Sequence, residues 1–367
     1  KYKQRNTMHA FITGATGFIG QHLLEQLLTQ GWKVTALYRQ QETLTPLLER
    51  LKSANIQWVK GNTEDIQSLR KAMPESVDAV FHLAANTSTW GLMHHRQYQT
   101  NVLGTQNMAN VALEKHAIRF IHTSSSCVYG SHEDIIDELS EMHAVDHPVA
   151  YYRSKYLAEE AIREAIKLGL DAVILNPCPV IGTYDKNNWA QAFSIVANDH
   201  LSSAPPGKQS FCDAQDVAKA HIQAFVHGHT GENYILSGPD SSLLEIFQWI
   251  CHRLGKEAPQ TSLPSWAIKL VGFVGSMFSL ISRKEPHISW DKAQILCSNS
   301  IVSCEKACRD LQYKPNKSIE EMLENSFHWW LAEQNTTHDQ NTIHTASLSN
   351  SNSKNKSARS SNPSKAA

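Results

Sequence analysis

What the sequence lacks narrows it first. It has no CxxC pair and no HExxH, and its seven cysteines (Cys127, Cys178, Cys212, Cys251, Cys297, Cys304 and Cys308) are odd in number and dispersed. That pattern suits neither a disulfide framework nor a thiolate metal site, and points to reduced thiols in a cytoplasmic protein. There are 19 histidines, yet clusters such as His94-His95 lack ligand spacing, so no metal site is expected. Charge of one sign is missing too: the formal net charge is -1, which gives no basic field to recruit nucleic acid. The first residues, KYKQRNT, contain no apolar signal core, and Met8 reads as a natural start behind an extension of residues 1–7. No internal repeat is present. The apolar stretch PSWAIKLVGFVGSMFSLIS, Pro264 to Ser282, approaches bilayer-spanning length but is interrupted by Lys269, serines and two glycines. Its plainer expectation is a buried or pocket-covering helix, and its other reading a peripheral membrane contact through 264–282. Apolar residues become scarce beyond Glu333, so 334–367, rich in Ser, Asn and Thr, is expected to be a disordered tail.

A hydrophobic share of 41% and a charged share of 19% describe an ordinary soluble globular chain. Near its start, MHAFI is followed by TGATGFIG (Thr13 to Gly20) and then by FIGQHLLEQLLTQG. The last segment carries Ile19, Leu23, Leu24, Leu27 and Leu28 at helical spacing, so the glycines occupy a strand-to-helix turn. Such a turn presents backbone N–H groups and the positive end of a helix to an anion, usually a nucleotide pyrophosphate. Strands then alternate with helices: WKVTALY, IQWVKGN, DAVFHLAA, IRFIHTSSS and DAVILNP are separated by helical stretches near 44–51, 64–73, 101–115 and 151–168. The alternation predicts an α/β fold with a doubly wound parallel sheet, and a smaller C-terminal substrate-binding region. Strand ends then line one crevice, where ligands of such sheets bind. Beyond Pro177 the pattern weakens to helices near 215–226, 243–254 and 319–331, with a strand at 233–236.

Three residue groups at those strand ends carry chemistry. Arg39 follows the second strand about twenty residues after the glycine turn, where an acidic residue would bind ribose hydroxyls and repel a 2′-phosphate. A guanidinium there pairs with a phosphate, which favours NADP(H) over NAD(H). In YYRSK, Tyr151 and Lys155 stand four apart and share a helix face. The lysine ammonium is expected to lower the phenol's pKa from about 10 toward the working range of an acid–base catalyst. TSSS at another strand end offers a hydroxyl for the same oxygen that Tyr151 would protonate. In isolation, these are also an exposed Tyr–Lys pair and plain strand-end serines.

With TGATGFIG, HLAA, NVLGT, TSSS and YYRSK in order, Met8 to about Gln334 resembles the extended short-chain dehydrogenase/reductases, within the NAD-dependent epimerase/dehydratase superfamily. LYR at Leu37–Arg39, NPCPVIG at Asn176–Gly182 and GENYILSGPDSSLLEIF from Gly231 are most similar to its dihydroflavonol 4-reductase-like and 3β-hydroxysteroid-dehydrogenase-like branch. The resemblance implies a Rossmann domain at 8–176 and a mainly substrate-binding region at 177–333, with some elements returning to the sheet. It implies a catalytic set of Ser125, Tyr151 and Lys155, with Asn101 supporting the proton relay. Ser125 is preferred for its offset before CVYG, and Tyr151 over Tyr152 because only Tyr151 has a lysine four residues later. The implied cofactor-binding residues are Gly14, Thr16, Gly17, Phe18, Ile19, Gly20, Arg39, Asn62, Thr63, Leu83, Ala84, Ala85, Tyr151, Lys155, Pro177 and Val180. Gly61-Asn62 departs from the usual Gly-Asp, and Thr183 from the usual proline. The implied activity is NADP(H)-dependent interconversion of a hydrophobic carbonyl compound and its alcohol. Alternatives are a nucleotide-sugar epimerase or dehydratase with bound NAD, and a non-catalytic NADP-binding regulator. The expected partner is a small-molecule substrate, with a homodimer as a further candidate association.

Overall fold

A computed structural model describes residues 7–51, 55–198, 201 and 203–335; the expectations for 1–6 and for the tail from 336 on lie outside the described residues. The chain opens with β1 (His9–Thr13), α1 (Phe18–Thr29), β2 (Lys33–Tyr38), α2 (Gln41–Arg50), β3 (Ile56–Lys60), α3 (Ile66–Ala72) and β4 (Ala79–His82). Then come α4 (His94–Tyr98), a π-helical turn (Gln99–Leu103), α5 (Gly104–Glu114), β5 (Arg119–Thr123), α6 (Ala150–Lys167) and β6 (Ala172–Pro177). Short elements follow: β7 (Val180–Ile181), α7 (Trp189–Asn198), β8 (Lys208–Ser210), β9 (Cys212–Asp213), α8 (Ala214–His227) and β10 (Asn233–Leu236). The last are β11 (Asp240–Ser242), α9 (Leu243–Arg253), α10 (Ser265–Ser282), α11 (Trp290–Leu296), β12 (Asn299–Ser300), α12 (Glu305–Leu311) and α13 over 319–335.

Seven strands form one parallel sheet in the order β10-β6-β5-β4-β1-β2-β3. The chain leaves β1 toward β2 on one side and returns to β4 on the other. The sheet is therefore doubly wound, with its switch point at the carboxyl ends of β1 and β4. Central strands are buried on both faces: every residue of β4, β5, β6 and β10 is buried. Alternate residues serve opposite layers. Ala10 and Ile12 pack with Leu23, Leu24 and Leu27 of α1 and Val217 and Phe225 of α8. Phe11, Val80 and Phe120 pack with Leu69, Met108 and Ile162 of α3, α5 and α6. Each such buried large side chain contributes about 1.5–3 kcal/mol. β10 lies in the sheet beside β6, and α8 packs on α1, so part of the sequence beyond residue 176 completes the dinucleotide-type layer.

The rest of the C-terminal half builds a second core of Ile181, Phe193, Phe211, Ile246, Phe327 and Trp330. It carries a β11-β8-β12 sheet and a β7-β9 pair, whose strands of two or three residues are too short to show a period. Two expectations need correction. The helix expected from 101 begins at His94, because a π-helical turn lets the run continue through Asn101. The helix expected to be buried at 264–282 is α10, and most of it faces solvent: Trp266 is 70%, Phe278 68% and Ile281 84% exposed. Only its narrow small-residue side packs inward, through Ile268, Gly272 and Ser279.

Candidate active site

The glycine turn joins β1 to α1 beneath the switch point. Gly14 has φ +75, and a Cβ there would stand 2.7 Å from the Ala84 backbone nitrogen. At Gly20 a Cβ would fall 2.1 Å from the Gly14 carbonyl oxygen. These positions therefore exclude side chains, pressing turn, strand and helix together. Gly17 is the N-cap of α1 and supplies no side-chain hydrogen bond to the first turn. The N–H groups of that turn and the positive helix end suit a diphosphate, so the cradle fits a dinucleotide. Thr16, Phe18 and Ile19 are half-buried around it. Leu83 and Ala84 run alongside, their N–H groups donating to the Thr13 carbonyl at 3.1 Å and hydroxyl at 3.3 Å; Ala85, next along, is exposed. Arg39 is exposed just past β2. Asn62 accepts from the Glu64 N–H at 3.2 Å through its side-chain carbonyl. Thr63 is buried against Gly104, and its carbonyl accepts from Asn107 at 3.0 Å. Pro177 closes β6, and Val180 opens β7 with its carbonyl bonded by the Trp189 indole at 3.1 Å.

Ser125 caps the short turn after β5, and its neighbours Ser124 and Ser126 are buried while it is half-exposed. Its Oγ accepts from the Cys127 N–H at 3.3 Å and stands beside the Tyr151 phenol, where it favours the ionised form. The ring of Tyr152 instead stacks on His147 at 4.5 Å, and the hydroxyl that acts on its phenol is that of Ser298 rather than Ser125. Geometry therefore separates two adjacent tyrosines as the lysine spacing does. Lys155 is buried under the site and donates to the Thr123 carbonyl at 2.9 Å. Burial pushes its ammonium down to about 8, against the attraction of Cys127 and Glu159. Here an expectation fails. Burial raises the Tyr151 phenol above its ordinary value, Cys127 adds to that, and the Ser125 hydroxyl opposes it. Lys155 is not what sets the phenol's shift, because its ammonium is aimed at the end of β5. Tyr151 is thus held protonated.

Asn101 occupies the π-helical turn. Its Oδ1 accepts from the Asn86 N–H at 2.7 Å, and its Nδ2 donates to the Asn86 carbonyl at 3.0 Å and to Ser154 Oγ at 2.9 Å. Ser154 in turn donates to the Tyr151 carbonyl at 2.8 Å. The side-chain amide is committed on both ends and braces the crevice loop against α6.

Two supports were not legible beforehand. Glu159 is fully buried one helical turn beyond Lys155 and accepts from Asn176 at 2.6 Å, Asn233 at 2.9 Å and Arg163 at 2.9 Å. Asn176 also donates to the Ser125 carbonyl at 3.2 Å, fixing the serine turn from below. The spacing of Lys155, Glu159 and Arg163 at i, i+4 and i+8 was the available signal. Asp291, at the start of α11, accepts from the Ala150 N–H at 3.1 Å and from His94 Nε2 at 3.1 Å. Val149, the N-cap of α6, offers no side-chain cap, so a carboxylate 141 residues away takes that place. No local pattern announces it.

Residues 10–237 match the NAD dependent epimerase/dehydratase family, and the chain belongs to that family. It is 29% identical over 328 residues to a Synechocystis sp. protein named as a dihydroflavonol 4-reductase, covering 87% of this chain and 94% of that one. It is 26% identical over 317 residues to sterol demethylase protein B of Methylococcus capsulatus, covering 85% and 95%. Among solved structures, UDP-glucuronic acid 4-epimerase from Bacillus cereus in complex with NAD superimposes with TM-score 0.70 at 20% identity, covering 89% of this chain and 99% of that one. That likeness speaks for the fold alone. The protein is an enzyme of the extended short-chain dehydrogenase/reductase type, and its cofactor is a nicotinamide dinucleotide.

Proposed function

We propose that the enzyme is an NADP(H)-dependent reductase that interconverts a hydrophobic ketone or aldehyde with its alcohol. The observation that carries this reading is the placement of Ser125 beside the Tyr151 phenol at the carboxyl edge of the sheet, above buried Lys155. The residues from Gly14 to Gly20 would hold the diphosphate, Arg39 the 2′-phosphate, and Lys155 the nicotinamide ribose. When bound, the cofactor supplies or accepts the hydride at the carbonyl carbon. Ser125 and Tyr151 would donate hydrogen bonds to the carbonyl oxygen, stabilising the negative charge that develops there. Tyr151 would then transfer its proton to that oxygen, giving the alcohol and a phenolate beside Ser125. Burial keeps Tyr151 protonated, as a proton donor to a carbonyl oxygen requires. Relatives named sterol demethylase protein B and 2-alkyl-3-oxoalkanoate reductase support an apolar carbonyl substrate. The seven free cysteines support a reducing, cytoplasmic setting.

The test is a panel of apolar ketones and aldehydes assayed with NADPH and with NADH, on wild type and Arg39→Asp. NADPH oxidation by wild type, with preference shifting toward NADH in Arg39→Asp, is expected. A wild-type preference for NADH would remove the role of Arg39. Turnover of a nucleotide sugar with tightly retained NAD would replace the reductase by an epimerase.

A further inference from the structure

The α10 helix presents its bulky apolar side to solvent and its small side to the protein. Trp266, Leu270, Phe273, Val274, Met277, Phe278 and Ile281 follow one another at intervals of three or four residues wherever they do not adjoin, so they form one stripe along the helix. Every one of them is more than half exposed. Nothing lets the helix roll over to bury them. On the inner side, a Cβ at Gly272 would stand 2.8 Å from the Ser289 carbonyl oxygen, and one at Gly275 2.7 Å from that of Ile288. Ser279 Oγ accepts from the Trp90 indole at 3.1 Å, and Ser276 Oγ accepts from the Trp290 N–H at 2.8 Å. The outward stripe is therefore a fixed feature of the folded molecule. A contiguous exposed apolar face of this kind marks an interaction surface.

We propose that α10 docks the enzyme on an anionic phospholipid bilayer, lying in the plane of the interface with the stripe among the acyl-chain ends. Charge argues for this occupant. From Pro264 to Glu285 the chain carries the cations Lys269, Arg283 and Lys284 against the single carboxylate of Glu285. Apolar bulk flanked by cations, with a tryptophan at one end, is the composition of an interfacial helix. Among the described residues this is the helix long and apolar enough to cross a membrane, yet its inner side is bonded to Trp90 and to the 288–293 segment, which holds it flat against the body. An apolar groove of about 730 Å³ between α10 and residues 284–288, walled by Val274, Phe278, Pro286 and Ile288, gives room for a lipid tail. A second copy is disfavoured, because two such faces would bring six cations together against only the two Glu285 carboxylates. The hairpin of α10 and α11 also reaches Ala150 through Asp291, so the bilayer would lie on the side of the molecule next to Tyr151.

The experiment is flotation of the full chain with vesicles of phosphatidylcholine alone, or of phosphatidylcholine with phosphatidylglycerol, at low and high salt. It needs no substrate, so its outcome is independent of the catalytic reading. Binding to the anionic vesicles, weakened by salt, is expected. The double variant Val274→Glu/Phe278→Glu should lower the partition coefficient by about tenfold or more. Arg283→Glu/Lys284→Glu should remove the preference for phosphatidylglycerol. Both changes are on exposed residues, and an unchanged melting temperature checks that folding is intact. As a second readout, bromolipids should quench Trp266 fluorescence, and Trp266→Phe should lose that part of the quenching. Absence of flotation, or flotation unchanged by Val274→Glu/Phe278→Glu, would overturn the proposal. So would a concentration-dependent dimer in sedimentation that the same variant abolishes, since a second copy would then cover the stripe.

Discussion

Ser125 and Tyr151 each sit beside near-equivalents, and in each case surroundings rather than residue type make the choice. Ser124 and Ser126 are buried and Ser125 is not; Tyr152 stacks on His147 while Tyr151 stands beside Ser125. The sequence singles out the same two residues by the i, i+4 lysine and the offset to CVYG. The electrostatics were not legible there. A sequence shows that Lys155 lies one turn from Tyr151, but burial and the Thr123 carbonyl decide where its charge acts. A pH dependence follows. Lys155 titrates at about 8, so its ammonium is present below that pH and lost above it. Cofactor affinity is expected to fall as pH rises through about 8, measured by fluorescence titration of NADPH. In Lys155→Arg that decline should move to higher pH, since a guanidinium stays charged.

Elements with clear period or caps were read correctly from sequence: α1, α6, α8 and α9, the last with a capping box of Ser242 and Glu245. Elements set by tertiary contact were not. The strands of β7, β8, β9, β11 and β12 are too short for a pattern, and the burial of α10 was misread because apolar composition does not say which side faces the core. The start of α6 is held by Asp291 from α11, and this defines an element-scale expectation. Asp291→Ala leaves the first turn of α6 without that acceptor and should cost about 1–2 kcal/mol of stability. Because Ala150 precedes Tyr151, turnover should fall more than the melting temperature alone explains. Comparing kcat with the urea midpoint of Asp291→Ala checks this; full turnover in a destabilised protein would make the cap purely structural.

At the scale of the whole molecule, alternation of strand and helix was enough to specify a doubly wound sheet, because parallel strands buried on both faces read as short apolar runs. Three buried histidines, His82 and His122 in the sheet and His221 on α8 against it, had no signal at all. His82 and His221 are held by burial at about 3 and about 4, with Lys155 adding to the shift at His82, and burial puts His122 well below its ordinary value. In the unfolded chain each titrates near 6.5, so the unfolded state takes up protons first on acidification. Stability is therefore full above pH 6.5 and lost as pH falls through that value toward 4. Each histidine contributes a slope approaching about 1.4 kcal/mol per pH unit. His122 has no hydrogen-bond partner for either ring nitrogen, so His122→Leu should keep or raise stability at pH 7 and flatten the acid slope by one proton. Urea denaturation between pH 4 and 7 measures both.

The central claim is that Tyr151 gives its proton to the substrate oxygen. It is tested most directly by the turnover of Tyr151→Phe on a carbonyl substrate found with NADPH, beside Tyr152→Phe and wild type. Loss of one hydroxyl leaves ring and packing in place, so cofactor affinity and melting temperature should hold. Turnover should fall by about a hundred- to ten-thousand-fold, while Tyr152→Phe changes it little. Near-full turnover by Tyr151→Phe would contradict the account and require another acid.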